Sequence, residues 1–139
     1  MSHEVTGGCL CGAVRFTATL PSHALTVCWC TQCLRQNSGP LVTAADAEAW
    51  QITGEVAAFR ASDHATRGFC AACGSTIFWQ EDGDGPAFAL GALDARDGYR
   101  VARTVHEDTR PDGLSALFGA MPISPDATTP REGDRDDAV

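Results

Sequence analysis

Cys70-Ala71-Ala72-Cys73-Gly74 is the stretch on which the fold of this chain turns. A C-x-x-C step lets two sulfurs point at one ion, and zinc prefers four such ligands in a tetrahedron, each about 2.3 Å away. Far upstream a second pair, Cys9-Leu10-Cys11, sits between Gly7-Gly8 and Gly12, much as Gly74 follows Cys73. The glycines are expected to relieve backbone crowding on the metal side. Together the two pairs would close one four-sulfur structural site. The remaining cysteines fall in Cys28-Trp29-Cys30-Thr31-Gln32-Cys33. Three sulfurs so close in sequence can hold a zinc and leave its fourth position open, which is how catalytic zinc is bound. Seven cysteines cannot all pair as disulfides, but they divide naturally as four plus three. Two other readings stay open. Cys28, Cys30 and Cys33 could be ordinary thiols beside a single structural zinc. Cys30–Cys33 or Cys70–Cys73 could be a redox pair, although no βαβ pattern surrounds either.

The rest of the composition narrows the chemistry. The chain has 139 residues, 44% of them hydrophobic, which suits one domain with an ordinary core. All 10 of its Lys+Arg residues are arginines, so a P-loop lysine and a Schiff-base lysine are both excluded. A formal net charge of −8 argues against nucleic acid as a partner, since phosphate contacts need a basic face. Residues 16–34 lack Asp, Glu, Lys and Arg, but Pro21, His23, Gln32 and the cysteines and threonines make the span too polar for a membrane. Met1 to Thr6 shows no secretory signal. A reducing cytoplasm is the expected location, where thiolates persist.

Short strand-like runs separated by turns predict a mainly β fold, a single zinc-stabilised β-rich domain with one or two short helices. The runs are 13–19, 25–28, 41–45, 56–60, 66–70, 76–80 and 87–93. Thr31 to Asn37 reads as a short helix with Thr31 as N-cap, ended by Gly39-Pro40. Asp82 to Pro86 and Arg96-Asp97-Gly98 are turns. Trp50, Phe59, Phe69, Phe78, Trp79, Phe88 and Phe118 read as core aromatics. Trp29 reads as core packing rather than as a cover for the open site, because tryptophan is highly buried on average. The domain is placed at residues 3–123. Residues 124–139, rich in charge and without aromatics, read as an acidic, disordered tail.

Three motifs in order, Gly7-Gly8-Cys9-Leu10-Cys11-Gly12-Ala13-Val14, Cys28-x-Cys30-x-x-Cys33 with Ser38-Gly39, and Phe69-Cys70-x-x-Cys73-Gly74-Ser75, resemble the glutathione-dependent formaldehyde-activating enzyme family, whose domain also occurs in centromere protein V. The resemblance spans roughly residues 3–93. It implies one structural zinc on Cys9, Cys11, Cys70 and Cys73 and a second, labile zinc on Cys28, Cys30 and Cys33. It further implies a carbon–sulfur lyase that interconverts glutathione plus formaldehyde with S-hydroxymethylglutathione, so that the expected partner is a small thiol. Near the carboxyl end the chain departs from the family pattern, with Glu107 after His106 and Ser115 after Asp112-Gly113-Leu114. Glutathione carries two carboxylates, and Arg35, two residues beyond Cys33, is the candidate clamp. His23, His64 and His106 are possible proton carriers, each also readable as an ordinary surface or core histidine. A different class of function, a zinc-stabilised module that binds a peptide or protein without chemistry, stands as the alternative. A sulfoxide-reductase-like enzyme would need a separate catalytic cysteine, and every cysteine here already lies in a cluster.

Overall fold

The computed structural model describes residues 1–114. Among them β-strands dominate, in three small sheets. The first is built on a hairpin of β1 (His3–Gly8) and β2 (Arg15–Leu20), extended antiparallel by β5 (Ala49–Thr53). The alternation that marked β2 in the sequence is realised: Phe16, Ala18 and Leu20 are buried while Arg15 and Thr17 face solvent. The second sheet runs β10-β3-β4, from β3 (Ala24–Cys28), β4 (Leu41–Ala44) and β10 (Arg100–Val105), with β10 parallel to β3. The third is an antiparallel meander of β6 (Val56–Arg60), β7 (Ala65–Cys70), β8 (Thr76–Glu81) and the two-residue β9 (Ala87–Phe88). One α-helix, α1 (Thr31–Asn37), links β3 to β4, and 3-10 turns occupy Leu90–Ala92, Glu107–Thr109 and Asp112–Leu114.

The core lies where the sheets meet. Phe16 of the first sheet stacks on Phe88 of the third at 4.0 Å between ring centres, and Phe78 meets Phe88 edge-on at 6.2 Å. Leu20, Ile77, Leu93, Cys33 and Cys70 are fully buried in the same cluster, so both cysteine groups are anchored in the packed interior. Gly7 allows the close approach that joins β1 to the turn after β9. A Cβ there would stand 2.3 Å from both the Ala92 carbonyl oxygen and Phe16 Cζ.

Several expectations need correcting. Strands β1, β5 and β10 were not among the expected runs: β1 carries Glu4 and two glycines, β10 carries two arginines, and β5 is a five-residue stretch in which only Trp50 and Ile52 alternate. The run 87–93 is not one strand: it breaks after Phe88 into a 3-10 turn. Trp50 and Phe59 are 45% and 61% exposed, so they are not core residues. Both sit on edge strands, β5 and β6, where no further layer covers the side chain. The helix is capped by Cys30, whose sulfur accepts the Cys33 backbone N–H, and not by Thr31. The glycine of the second knuckle is also needed for another reason. Gly74 has φ +78° with open space around its Cβ position, so the left-handed backbone selects it and crowding does not. Phe118 and the 124–139 tail lie outside the described residues, as does the domain boundary at 123.

Candidate metal centres and active site

The first cluster joins two sheets. Cys9 follows β1 and Cys70 ends β7, and each opens a tight knuckle. Gly12 N–H donates to the Cys9 carbonyl at 3.3 Å, and Gly74 N–H to the Cys70 carbonyl at 2.9 Å. The knuckles bring the sulfurs of Cys9, Cys11, Cys70 and Cys73 within 4.8 Å of one another. Cys9 and Cys11 are 3.6 Å apart, Cys11 and Cys70 3.8 Å. A tetrahedral ion with sulfurs at 2.3 Å needs edges of about 3.8 Å, so the donor set fits zinc in number, chemistry and span. Backbone N–H groups already point at the sulfurs: Val14 at Cys9 (3.2 Å), and Ala72 and Cys73 at Cys70 (3.4 Å each). The Ser75 hydroxyl, 3.2 Å from Cys73 Sγ, leads the contacts that hold that thiol down at about 5. Donors aimed at sulfur favour the thiolate, which is the form that binds metal.

The second cluster sits on the wall of a cavity. Cys28 is the last residue of β3, Cys30 caps α1 and Cys33 lies in its first turn, and their sulfurs also lie within 4.8 Å of one another. Crowded thiols compete for protons. Hydrogen bonds from Cys28 and then Cys33 hold Cys30 far below the ordinary thiol value, helped by the Cys33 N–H and by Arg67. Cys28 is driven far up by the same partnership with Cys30 and Cys33 and by burial. A divalent cation would remove this conflict by stabilising all three thiolates, so this trio fits a metal as well.

The buried charge behind the trio is Arg67 of β7, only 4% exposed. Its guanidinium donates to Cys33 Sγ at 3.4 Å and approaches Cys30 Sγ at 3.9 Å, while Gln36 and Gln32 accept from it at 3.0 and 3.3 Å. Arginine does not deprotonate in proteins, so a buried guanidinium requires an anionic neighbour. Three thiolates and one divalent ion sum to −1, which this single cation balances. Ordinary neutral thiols would leave it uncompensated. Arg67 escaped the sequence reading because it lies 34 residues from Cys33 and in no cysteine motif.

The cavity has a volume of about 270 Å³. One wall is the face of the β10-β3-β4 sheet, on which Val105, Cys28 and Leu41 form one row across the strands and Arg103, Thr26 and Thr43 the next. His64 and His106 also line the cavity. His106 is 8% exposed and holds a left-handed backbone at φ 57°, a conformation that histidine adopts more readily than most non-glycine residues. His23 does not reach the cavity; it stacks on His3 at 3.9 Å elsewhere on the surface. Arg35 is exposed on α1 and is not among the residues lining the cavity. Trp29 is fully buried, with its backbone N–H on Val105 and the Arg110 guanidinium 5.8 Å from its ring centre, so it packs and does not cover the thiols.

Fold and site thus define a mainly β domain with two cysteine clusters able to hold metal, one closed and one open to a small cavity. The model of the glutathione-dependent formaldehyde-activating enzyme family matches residues 4–108, and the chain belongs to that family. A crystal structure of a Rhodobacter sphaeroides protein shares the fold, with a TM-score of 0.55, 20% identity, and coverage of 65% of this chain and 88% of that one. No curated protein matches the sequence significantly. Among the described residues no helix is long and apolar enough to cross a membrane.

Proposed function

We propose that this chain is a zinc-dependent carbon–sulfur lyase acting in a reducing compartment such as the cytoplasm. It would interconvert glutathione plus formaldehyde, or a related aldehyde, with the S-hydroxymethyl adduct. The observation that carries this reading is the convergence of Cys28, Cys30 and Cys33 on the wall of the cavity, with Arg67 beside them on the same wall to balance their charge. Cys9, Cys11, Cys70 and Cys73 would hold the structural zinc, and Cys28, Cys30 and Cys33 the labile one. A zinc held by Cys28, Cys30 and Cys33 would supply a Lewis acid able to keep a thiol sulfur deprotonated at neutral pH.

The protein's own groups do the rest. The cavity is small for a ligand site, so it takes the cysteinyl-glycyl end of a tripeptide and a one-carbon aldehyde side by side. As the sulfur bonds to the carbonyl carbon, the oxygen gains the proton that the thiol lost. His64 and His106 are the imidazoles placed on the cavity wall to carry it, and they take it back when the carbon–sulfur bond breaks. Trp29, packed away from the cavity, and Arg67, on its wall against the sulfurs, keep the thiolates fixed.

Exchange NMR of glutathione and formaldehyde with and without the zinc-loaded protein tests the proposal. Wild type should accelerate exchange over a Cys30→Ser variant, which keeps a good N-cap side chain and therefore the helix. Metal analysis should find two zinc ions per chain, one released by a mild chelator. Equal exchange rates in wild type and variant would sink the lyase reading and leave the non-catalytic binding module.

A further inference from the structure

We propose that Arg103 clamps a carboxylate of the thiol substrate, making the cavity selective for anionic thiols; the inference rests on the lyase reading and extends it to substrate class. The argument begins with register. Arg103 pairs with Thr26 and Val105 with Cys28, so the arginine stands two residues along the strand from the row that carries the Cys28 sulfur. At the strand rise this is about 6.6 Å. The thiol sulfur and the glycyl carboxylate of glutathione are six bonds apart, roughly 6–8 Å by standard backbone dimensions. A sulfur held near the Cys28 row therefore leaves that carboxylate within reach of the row on which Arg103 stands.

Charge supports the same placement. Arg67 lines the cavity too, but its charge is committed to the cysteine sulfurs and the two glutamines. Arg103 is half-buried on the wall and makes no ion pair among the described residues. Thr26 and Thr43, its neighbours in the row, add hydroxyls that suit a carboxylate oxygen. With a formal net charge of −8 the chain's overall field repels an anionic substrate, so capture depends on a local cation.

The test compares glutathione with its glycyl ethyl ester, in which that carboxylate is blocked, on zinc-loaded wild type, Arg103→Met and Arg103→Lys. Dissociation constants come from calorimetry without aldehyde, and exchange rates from NMR with formaldehyde. Wild type should bind glutathione at least about tenfold more tightly than the ester, the size of one charge-assisted contact. Arg103→Met should lose most of that preference by weakening glutathione alone, and Arg103→Lys should retain part of it. Equal binding of acid and ester by wild type, a preference that survives in Arg103→Met, or no binding of either thiol would overturn the clamp. Exchange accelerated equally for acid and ester would remove the clamp and keep the lyase. A preference in binding without acceleration would do the reverse.

Discussion

Replacing Cys70 by serine should destabilise the domain severely, whereas replacing Cys28 by serine should leave it nearly as stable as wild type. The difference follows from chain connectivity. Cys11, in the turn between β1 and β2, and Cys70, at the end of β7, lie 59 residues apart, so an ion shared by Cys9, Cys11, Cys70 and Cys73 acts as a long-range cross-link between two sheets. The entropy of closing a loop of that length in the unfolded chain corresponds to about 4 kcal/mol at 25 °C. Net domain stability is about 5–15 kcal/mol in total, and structural zinc adds its own binding energy to folding. For a domain of this size each kcal/mol is worth about 4 °C, so the loss should lower the midpoint by about 15 °C or more. Cys28, Cys30 and Cys33 instead share one short stretch already ordered by β3 and α1, and cross-linking it constrains little. Cys28→Ser should therefore shift the midpoint by only a few degrees while one zinc per chain is lost. Thermal unfolding followed by circular dichroism, paired with metal analysis, reads both effects. Equal midpoints for the two variants would show that the four-plus-three division of the cysteines is wrong.

Three further outcomes are expected. Arg67→Met should destabilise the zinc-loaded protein by about 3–5 kcal/mol in urea unfolding, because it leaves buried negative charge uncompensated, while Arg35→Met at its exposed position should stay within about 0.5 kcal/mol. Gly7→Ala should cost more stability than Gly74→Ala: the first drives a methyl group into backbone 2.3 Å away, whereas the second meets open space and pays only the left-handed backbone penalty of about 1–2 kcal/mol. Phe88→Ala, which empties a fully buried site stacked on Phe16, should cost about 3–5 kcal/mol, and exposed Phe59→Ser should change stability far less.

Local features were legible in the sequence. Helix α1 was read with its observed bounds, since Thr31 to Asn37 is a self-contained polar turn between a cysteine loop and Gly39-Pro40. Its cap was misplaced by one residue because a thiol was not weighed as an acceptor. β2, β3, β4, β6, β7 and β8 announced themselves by alternation or by flanking turns. Strands β1, β5 and β10 did not, because edge and parallel positions are set by their partners rather than by their own pattern. The exposure of Trp50 and Phe59 has the same origin: residue type alone does not tell an edge strand from a central one.

The sequence by itself determined the mainly β class and the two candidate ligand sets, one of four sulfurs and one of three. Those features are carried by contacts a few residues long, and thiols packed into glycine-flanked knuckles converge whatever surrounds them. The tertiary structure alone decided what faces the open set. Sheet register sets Arg103 one row from Cys28, β7 lays Arg67 against sulfurs 34 residues away, and His64 and His106 come to the cavity while His23 and Arg35 do not. A buried guanidinium needs an anion and a substrate carboxylate needs a cation. Which arginines reach the cavity wall is fixed by long-range strand pairing that local sequence does not encode.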